Sequence, residues 1–261
     1  MRSLARAVNQ TRKGGAVLPE VFSTFSSNGI GIRRGEVTMV AGQPGAGKST
    51  LALKIALAAK VPSIYFSADT HAHTMGVRTV SMLSGQQQNV VEQYLTPGNE
   101  WAKEHLVQAE HIKWCFDPAP SLQDIAEEIE VYREVTGSDP QLVVIDNAVD
   151  VTHETGDEFS SLRSLMREVK WWARDTDAAF LILHHTSEAV PGNPCPARSS
   201  IHGKVAQVPA LILTLAADDF GVMRVAPVKN RYSKAVADGS YYVELGYDPS
   251  RMLVADLGSA A

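Results

Sequence analysis

Two cysteines, Cys115 and Cys195, are all that the 261 residues contain, and neither belongs to a C-x-x-C pair. That leaves no disulfide framework and no zinc-binding pattern, and a reducing cytosol suits such a chain best. No apolar run approaches the ~18 residues needed to cross a bilayer, so no membrane partner is expected. The basic start "MRSLARAVNQTRKGG" is followed by no apolar segment and does not read as a secretory signal. An excess of positive charge is lacking as well: the formal net charge is −5. This argues against a surface coated with cations for nucleic acid but leaves room for a local basic patch.

What is present is ample material for a core, with 44% hydrophobic and 20% charged residues, in a length normal for one large α/β domain. Residues 1–24 read as an N-terminal arm and 25–261 as a single domain without internal repeats. "EVTMVAG", "PSIYFSA", "HIKWCF", "QLVVID" and "AAFLILHH" are predicted strands, "QLVVID" being a continuous apolar run of the kind buried in a parallel sheet. "STLALKIALAAK" and "SLQDIAEEIEVYREV" are predicted helices, the second opened by a capping pair, Ser121 and Asp124. Residues 71–110 read as mostly helical, broken by "SGQQQN" and "TPGNE"; another helix, about 160–174, carries Leu162, Leu165, Val169 and Trp172 on one face. Residues 186–203 have no periodicity and form a long loop, a feature that in compact domains is usually functional or disordered. "ALILTLA", "GVMRVAPV" and "SYYVEL" close the chain as strands. Strand–helix alternation followed by hairpins predicts an α/β fold: a mostly parallel twisted sheet flanked by helices and extended by C-terminal antiparallel strands.

"GQPGAGKST", residues 42–50, fits G-x-x-x-x-G-K-[ST], with a strand before it and a helix after it. Gly42, Gly45 and Gly47 allow the backbone of Gln43, Pro44 and Ala46 to wrap around phosphates, and Lys48 adds a point charge for the β/γ oxygens. Ser49 is suited to ligate Mg²⁺, and the helix opening at Ser49 and Thr50 adds its dipole. ATP and Mg²⁺ are therefore the expected ligands. Asp146 ends an apolar strand, at the edge of an open α/β sheet where ligands bind, and is suited to hold the water shell of Mg²⁺. Hydrolysis also needs a group to orient water. Topology favours Asp69, at the end of the strand after the phosphate-loop helix; Asp150, Glu154 and Asp157 are alternatives. His184 and His185 end the fifth strand, and side-chain alternation lets only one of them face a nucleotide.

The stretches "RRGEVTMVAGQPGAGKSTLALKIAL", "SIYFSADT", "CFDPAPSLQDIAEEIE", "LVVIDNAVDV", "LILHHTSE", "SIHGKVAQVPALILTL" and "VKNRYSK" come in an order that resembles the RecA-fold ATPases, and among them the ATPase domain of DnaB-like replicative helicases. "HHT" is also similar to the plasmid RepA-type hexameric helicases. The likeness covers about 25–256. It implies a RecA-like P-loop core, a catalytic carboxylate at Asp69 (a Glu in the family), and a γ-phosphate sensor at His185. It implies DNA-contacting loops over about 186–204, with Arg198 and Lys204 as phosphate contacts. It also implies that the K-x-R stretch, Lys229 and Arg231, enters the nucleotide site of the neighbouring subunit. DnaB proteins carry a separate helical N-terminal domain; this chain is expected to be a bare motor domain, closer in build to small phage and plasmid ring helicases.

These readings lead to an ATP-driven DNA helicase or translocase working as a ring, with the hexamer implied by the family and single-stranded DNA in a central channel. Residues 186–204 contain no aromatic side chain, so contacts there are expected to be to phosphate, with little sequence preference. Two other readings stand beside this one. A RecA/RadA-type recombination or repair ATPase shares the fold but coats DNA as a filament. A low-turnover nucleotide switch for assembly is suggested by Asp69 in the place of Glu.

Overall fold

The computed structural model describes residues 15–152, 158–187 and 193–258. Nine strands among them form one sheet in the order β3-β2-β4-β5-β1-β6-β7-β8-β9. The strands are β1 (Val37–Gly42), β2 (Ser63–Ser67), β3 (Ile112–Cys115), β4 (Leu142–Asp146), β5 (Ala179–His185), β6 (Leu211–Ala217), β7 (Val222–Asn230), β8 (Val243–Asp248) and β9 (Leu253–Asp256). Strands β1 to β6 pair in parallel, and β6 to β9 pair antiparallel, as the alternation of elements predicts. The fold is RecA-like: a mostly parallel sheet, helices on both faces, and an antiparallel C-terminal extension.

Seven α-helices are described: α1 (Ser23–Ser27), α2 (Lys48–Ala59), α3 (Ala72–Ser84), α4 (Gln88–Tyr94), α5 (Glu100–Leu106), α6 (Leu122–Thr136) and α7 (Glu158–Thr176). Side-chain alternation along the strands divides the core in two. Val40, Tyr65, Val144 and Leu181 point to the face covered by α2, whose Leu/Ala-rich sequence is buried nearly all round. Their neighbours Met39, Phe66, Ile145 and Ile182 point to the face covered by α6 and α7. Helix α6 opens with the expected capping box, Ser121 Oγ accepting from Asp124 N while the Asp124 carboxylate accepts from Ser121 N.

Three segments differ from the sequence expectation. Leu18 and Phe22, within the predicted arm, are buried in the core beside α2, and the Asp256 carboxylate accepts from Ser23 N at 2.8 Å and Thr24 N at 3.0 Å. Strand β7 runs on from the expected end at Val228 to Asn230, because the register shift between Ile212 and Leu213 sets Pro227, which has no N–H, at a bulge and lets the ladder resume at Lys229. Strand β8 begins at Val243 rather than Ser240, since Ser240 N donates to Asp238 Oδ1 in a turn, and β9 has no counterpart among the expected strands.

Candidate nucleotide-binding site

Strand β1 ends at Gly42 and α2 begins at Lys48, so the phosphate loop lies at the carboxyl edge of the parallel sheet. Gly45 and Gly47 have φ of 79° and 83°. Gly47 is the more constrained: a Cβ there would run into Met223 Cε, besides the strain of its left-handed backbone. Lys48 Nζ donates to the carbonyls of Gly42 at 3.1 Å and Gln43 at 3.0 Å, which folds the side chain over the loop. Burial lowers its pKa, while Asp146 and Asp69 oppose that shift.

Asp146 is 7% exposed, and Tyr65 donates its hydroxyl to Asp146 Oδ2 at 3.0 Å. Burial raises the carboxyl's pKa; hydrogen bonds from Ser49 and Tyr65 and the charge of Arg78 counter it, and the nearby Asp69 adds to it. A buried carboxylate beside a serine hydroxyl is a hard-oxygen donor pair, which fits Mg²⁺ with water and phosphate completing its shell.

Asp69 is exposed at the end of β2 and lines a cavity of about 420 Å³ together with the phosphate loop, Asp146 and His185. Arg78 on α3 donates to Thr70 Oγ1 at 3.1 Å and so ties down the turn that carries Asp69. Asp150, the described alternative, is half-buried with Oδ2 lacking a partner among the described residues, and does not line the cavity. Glu154 and Asp157 lie outside the described residues.

The two histidines part as alternation requires. His185 pairs in register with Gly42 and faces the cavity. Asn147 Oδ1 accepts from Val149 N at 3.0 Å, which turns its amide nitrogen toward His185 Nε2 at 3.3 Å. His185 Nε2 is then an acceptor, and the neutral ring carries its proton on Nδ1. Burial, followed by the charge of Lys48, lowers the His185 pKa. His184 is fully buried on the other side, its Nε2 3.1 Å from the His202 carbonyl, and burial pushes its pKa down to about 4.

Arg78, Gln88, Asn147, Tyr247, Pro249 and Met252 also line the cavity, and sequence reasoning does not single them out. Asn147 has a local signal, its place directly after Asp146. Tyr247 and Met252 have none, because the β8–β9 hairpin folds them over the start of α2, where Thr50 Oγ1 lies 3.8 Å from Met252 Sδ.

The predicted basic residues gather elsewhere. Arg231 pairs with Glu36, and Arg231 N donates to the Ala210 carbonyl, just before β6. Both belong to the amino edge of the parallel strands, about five residues and roughly 17 Å of strand from Gly42. Lys229 Nζ donates to the carbonyls of Ala206 at 2.9 Å and Gln207 at 2.8 Å. Arg198 is exposed on a 3₁₀ turn; the Lys204 side chain lies outside the described residues. None of Arg198, Lys229 and Arg231 lines the cavity of their own chain.

The profile of the AAA-domain family matches residues 29–189. The chain belongs to this family. Within it, this AAA-domain protein is 34% identical over 253 residues to the Gene 65 protein of Mycobacterium phage L5, covering 94% of both chains. It is 34% identical over 232 residues to the Gene 65 protein of Mycobacterium phage D29, covering 84% of this chain and 99% of that protein. In fold it is similar to a DnaB-like replicative helicase, with a TM-score of 0.80 at 15% identity over 97% of this chain and 66% of that longer one. A separately solved ATPase domain gives a TM-score of 0.81, also at 15% identity, over 97% of this chain and 95% of that domain. Similarity to the RadB recombinase is lower, with a TM-score of 0.63 at 16% identity over 92% of this chain and 99% of that one. The fold is thus that of a RecA-type P-loop ATPase of the DnaB kind.

Proposed function

We propose that this AAA-domain protein is an ATP-driven DNA motor, a single ATPase domain that works as a ring, most simply a hexamer, with nucleotide sites between subunits. The observation that carries the reading is the split of charged groups between two edges of one sheet. Lys48, Ser49, Asp146, Asp69 and His185 converge at the carboxyl edge, while Arg231 stands at the amino edge of the same chain. A head-to-tail contact joins unlike edges, so each interface would unite one subunit's phosphate loop with the next subunit's Lys229 and Arg231.

In this mechanism the phosphate loop and Lys48 hold the ATP phosphates. Ser49 and Asp146 would hold Mg²⁺, which would supply neutralisation of phosphate charge. Asp69 accepts a hydrogen bond from the attacking water, and the Arg78–Thr70 contact fixes the turn from which it does so. His185, held beside Asn147 through Nε2, is assigned to sense the γ-phosphate from the end of β5. Arg231 of the neighbour neutralises charge building up on the transferred phosphoryl group, with Lys229 beside it. Arg198 and Lys204 are assigned to the DNA backbone. The closer fold match to the DnaB-like helicase than to the RadB recombinase supports the helicase over the recombinase reading.

The test is steady-state ATP hydrolysis with and without single-stranded DNA, with particle mass measured in parallel. Turnover in an oligomer, stimulated by DNA, is expected. A monomer, or ATP binding without turnover, would instead favour the assembly switch.

A further inference from the structure

Helix α7 carries a basic stripe that the nucleotide site does not use. Arg163, Arg167, Lys170 and Arg174 follow one another at spacings of four, three and four, and all are exposed. At 100° per residue they fall within an arc of about 60° and extend along about 16 Å of helix. The opposite side of α7, including Leu165, Val169 and Trp172, is buried in the core. Glu168 and Asp175 lie on a separate flank, about 110–130° from the centre of the stripe. Among the described residues, Arg163, Arg167 and Lys170 form no ion pair.

Two features make this face more than a solvated helix. Trp171 is 60% exposed and adjoins the stripe about 40° from Arg167. A large indole left in water beside three cations that form no ion pair among the described residues is the pairing of stacking platform and phosphate contact that single-stranded nucleic acid uses. The stripe also continues onto neighbouring elements. On its buried side, Arg163 and Arg167 border a groove floored by Met166, Val205 and Val208. Beyond it, the Lys229 ammonium lies within electrostatic reach of Arg231, Arg198 and Lys170, whose charges add to burial in lowering its pKa. The basic face therefore joins α7 to the segment carrying Arg198.

We infer that the exposed face of α7 is a binding track for single-stranded nucleic acid, with Arg163, Arg167 and Lys170 on the phosphates and Trp171 stacked on a base. The inference rests on the DNA-motor reading and extends the DNA path from the 186–204 loop onto a rigid helix. Because backbone charge and a single π face do the recognising, the track takes any sequence.

The test is binding of fluorescein-labelled oligo(dT) to the full chain across a salt series, for wild type, R163A/R167A/K170A, its Lys-for-Arg counterpart R163K/R167K, and W171A. The triple variant is expected to bind at least tenfold more weakly, with its log–log salt slope reduced by about 2. R163K/R167K should bind nearly as wild type, and W171A roughly tenfold more weakly with an unchanged slope. A thermal melt and binding of a fluorescent ATP analogue, both expected unchanged, exclude misfolding. If wild type binds DNA and the triple variant matches it in affinity and slope, the track is wrong while the motor reading survives. If wild type binds no DNA, both are wrong. A triple variant that binds DNA normally but no longer assembles overturns the track and assigns the face to a neighbouring copy.

Discussion

Arg231 Nη1 donates to both carboxylate oxygens of Glu36, at 3.0 and 3.1 Å. Glu36 immediately precedes β1, the strand whose far end becomes the phosphate loop. The pair therefore fixes Arg231 at the edge of the sheet opposite its own nucleotide site. It is also exposed on the arginine side, with 45% of that side chain accessible, so releasing it to a neighbouring subunit costs little.

Arg231→Ala separates stability from catalysis. An exposed pair contributes at most about 1 kcal/mol, so the urea midpoint should move only slightly. Loss of a cation that acts on the transition state should lower ATP turnover by roughly 10³-fold or more. Denaturant titration and steady-state turnover on the same preparation check both expectations, with nucleotide affinity unchanged as the control.

Asp69 gives a second test. Asp69→Ala should reduce kcat by roughly 10²–10⁴-fold and leave nucleotide affinity nearly intact, since the carboxylate is assigned to water rather than to phosphate. Asp69→Glu should retain turnover, because the exposed end of β2 has room for one more methylene. Parallel measurement of kcat and of the dissociation constant for a non-hydrolysable ATP analogue distinguishes a water-orienting role from a binding role.

The phosphate loop, Asp146 and the division between parallel and antiparallel strands are legible in the sequence because each is written in consecutive residues. A glycine loop between an apolar strand and a helix, or an Asp closing "LVVID", needs no knowledge of distant chain. The choice of His185 over His184 follows from β alternation together with the family resemblance, and the geometry brings His185 to the cavity. Arg78, Gln88 and Tyr247 are not legible. They reach the cavity through the packing of α3, α4 and the β8–β9 hairpin, and their own neighbours in sequence carry no sign of it. The end of β7 is hidden for a local reason: the strand expected to stop at Val228 runs on to Asn230, because the bulge between Ile212 and Leu213 lets the ladder resume at Lys229.

The buried His184 predicts a pH dependence of stability. Its folded pKa, about 4, lies below the ordinary 6.5, so the unfolded chain binds the extra proton first. The contribution of the neutral ring is complete above about pH 6.5 and is lost progressively as pH falls toward about 4. Asp146, whose pKa is raised, acts in the opposite sense, so the comparison should be made against a His184→Asn variant. Wild type should lose stability more steeply than His184→Asn between about pH 6.5 and 4, as read from urea midpoints.

The most direct test of sites shared between subunits mixes two inactive chains. Asp146→Asn leaves Arg231 intact but disables its own metal site; Arg231→Ala leaves the metal site intact but lacks the cation. Each alone should hydrolyse ATP at a small fraction of the wild-type rate. Co-assembled in equal amounts, about one quarter of the interfaces would combine an intact phosphate loop with an intact Arg231, and turnover should recover to about that fraction. A mixture that forms mixed oligomers yet stays as inactive as its components, or an Arg231→Ala chain that hydrolyses ATP normally by itself, would contradict completion of the site by the neighbouring subunit.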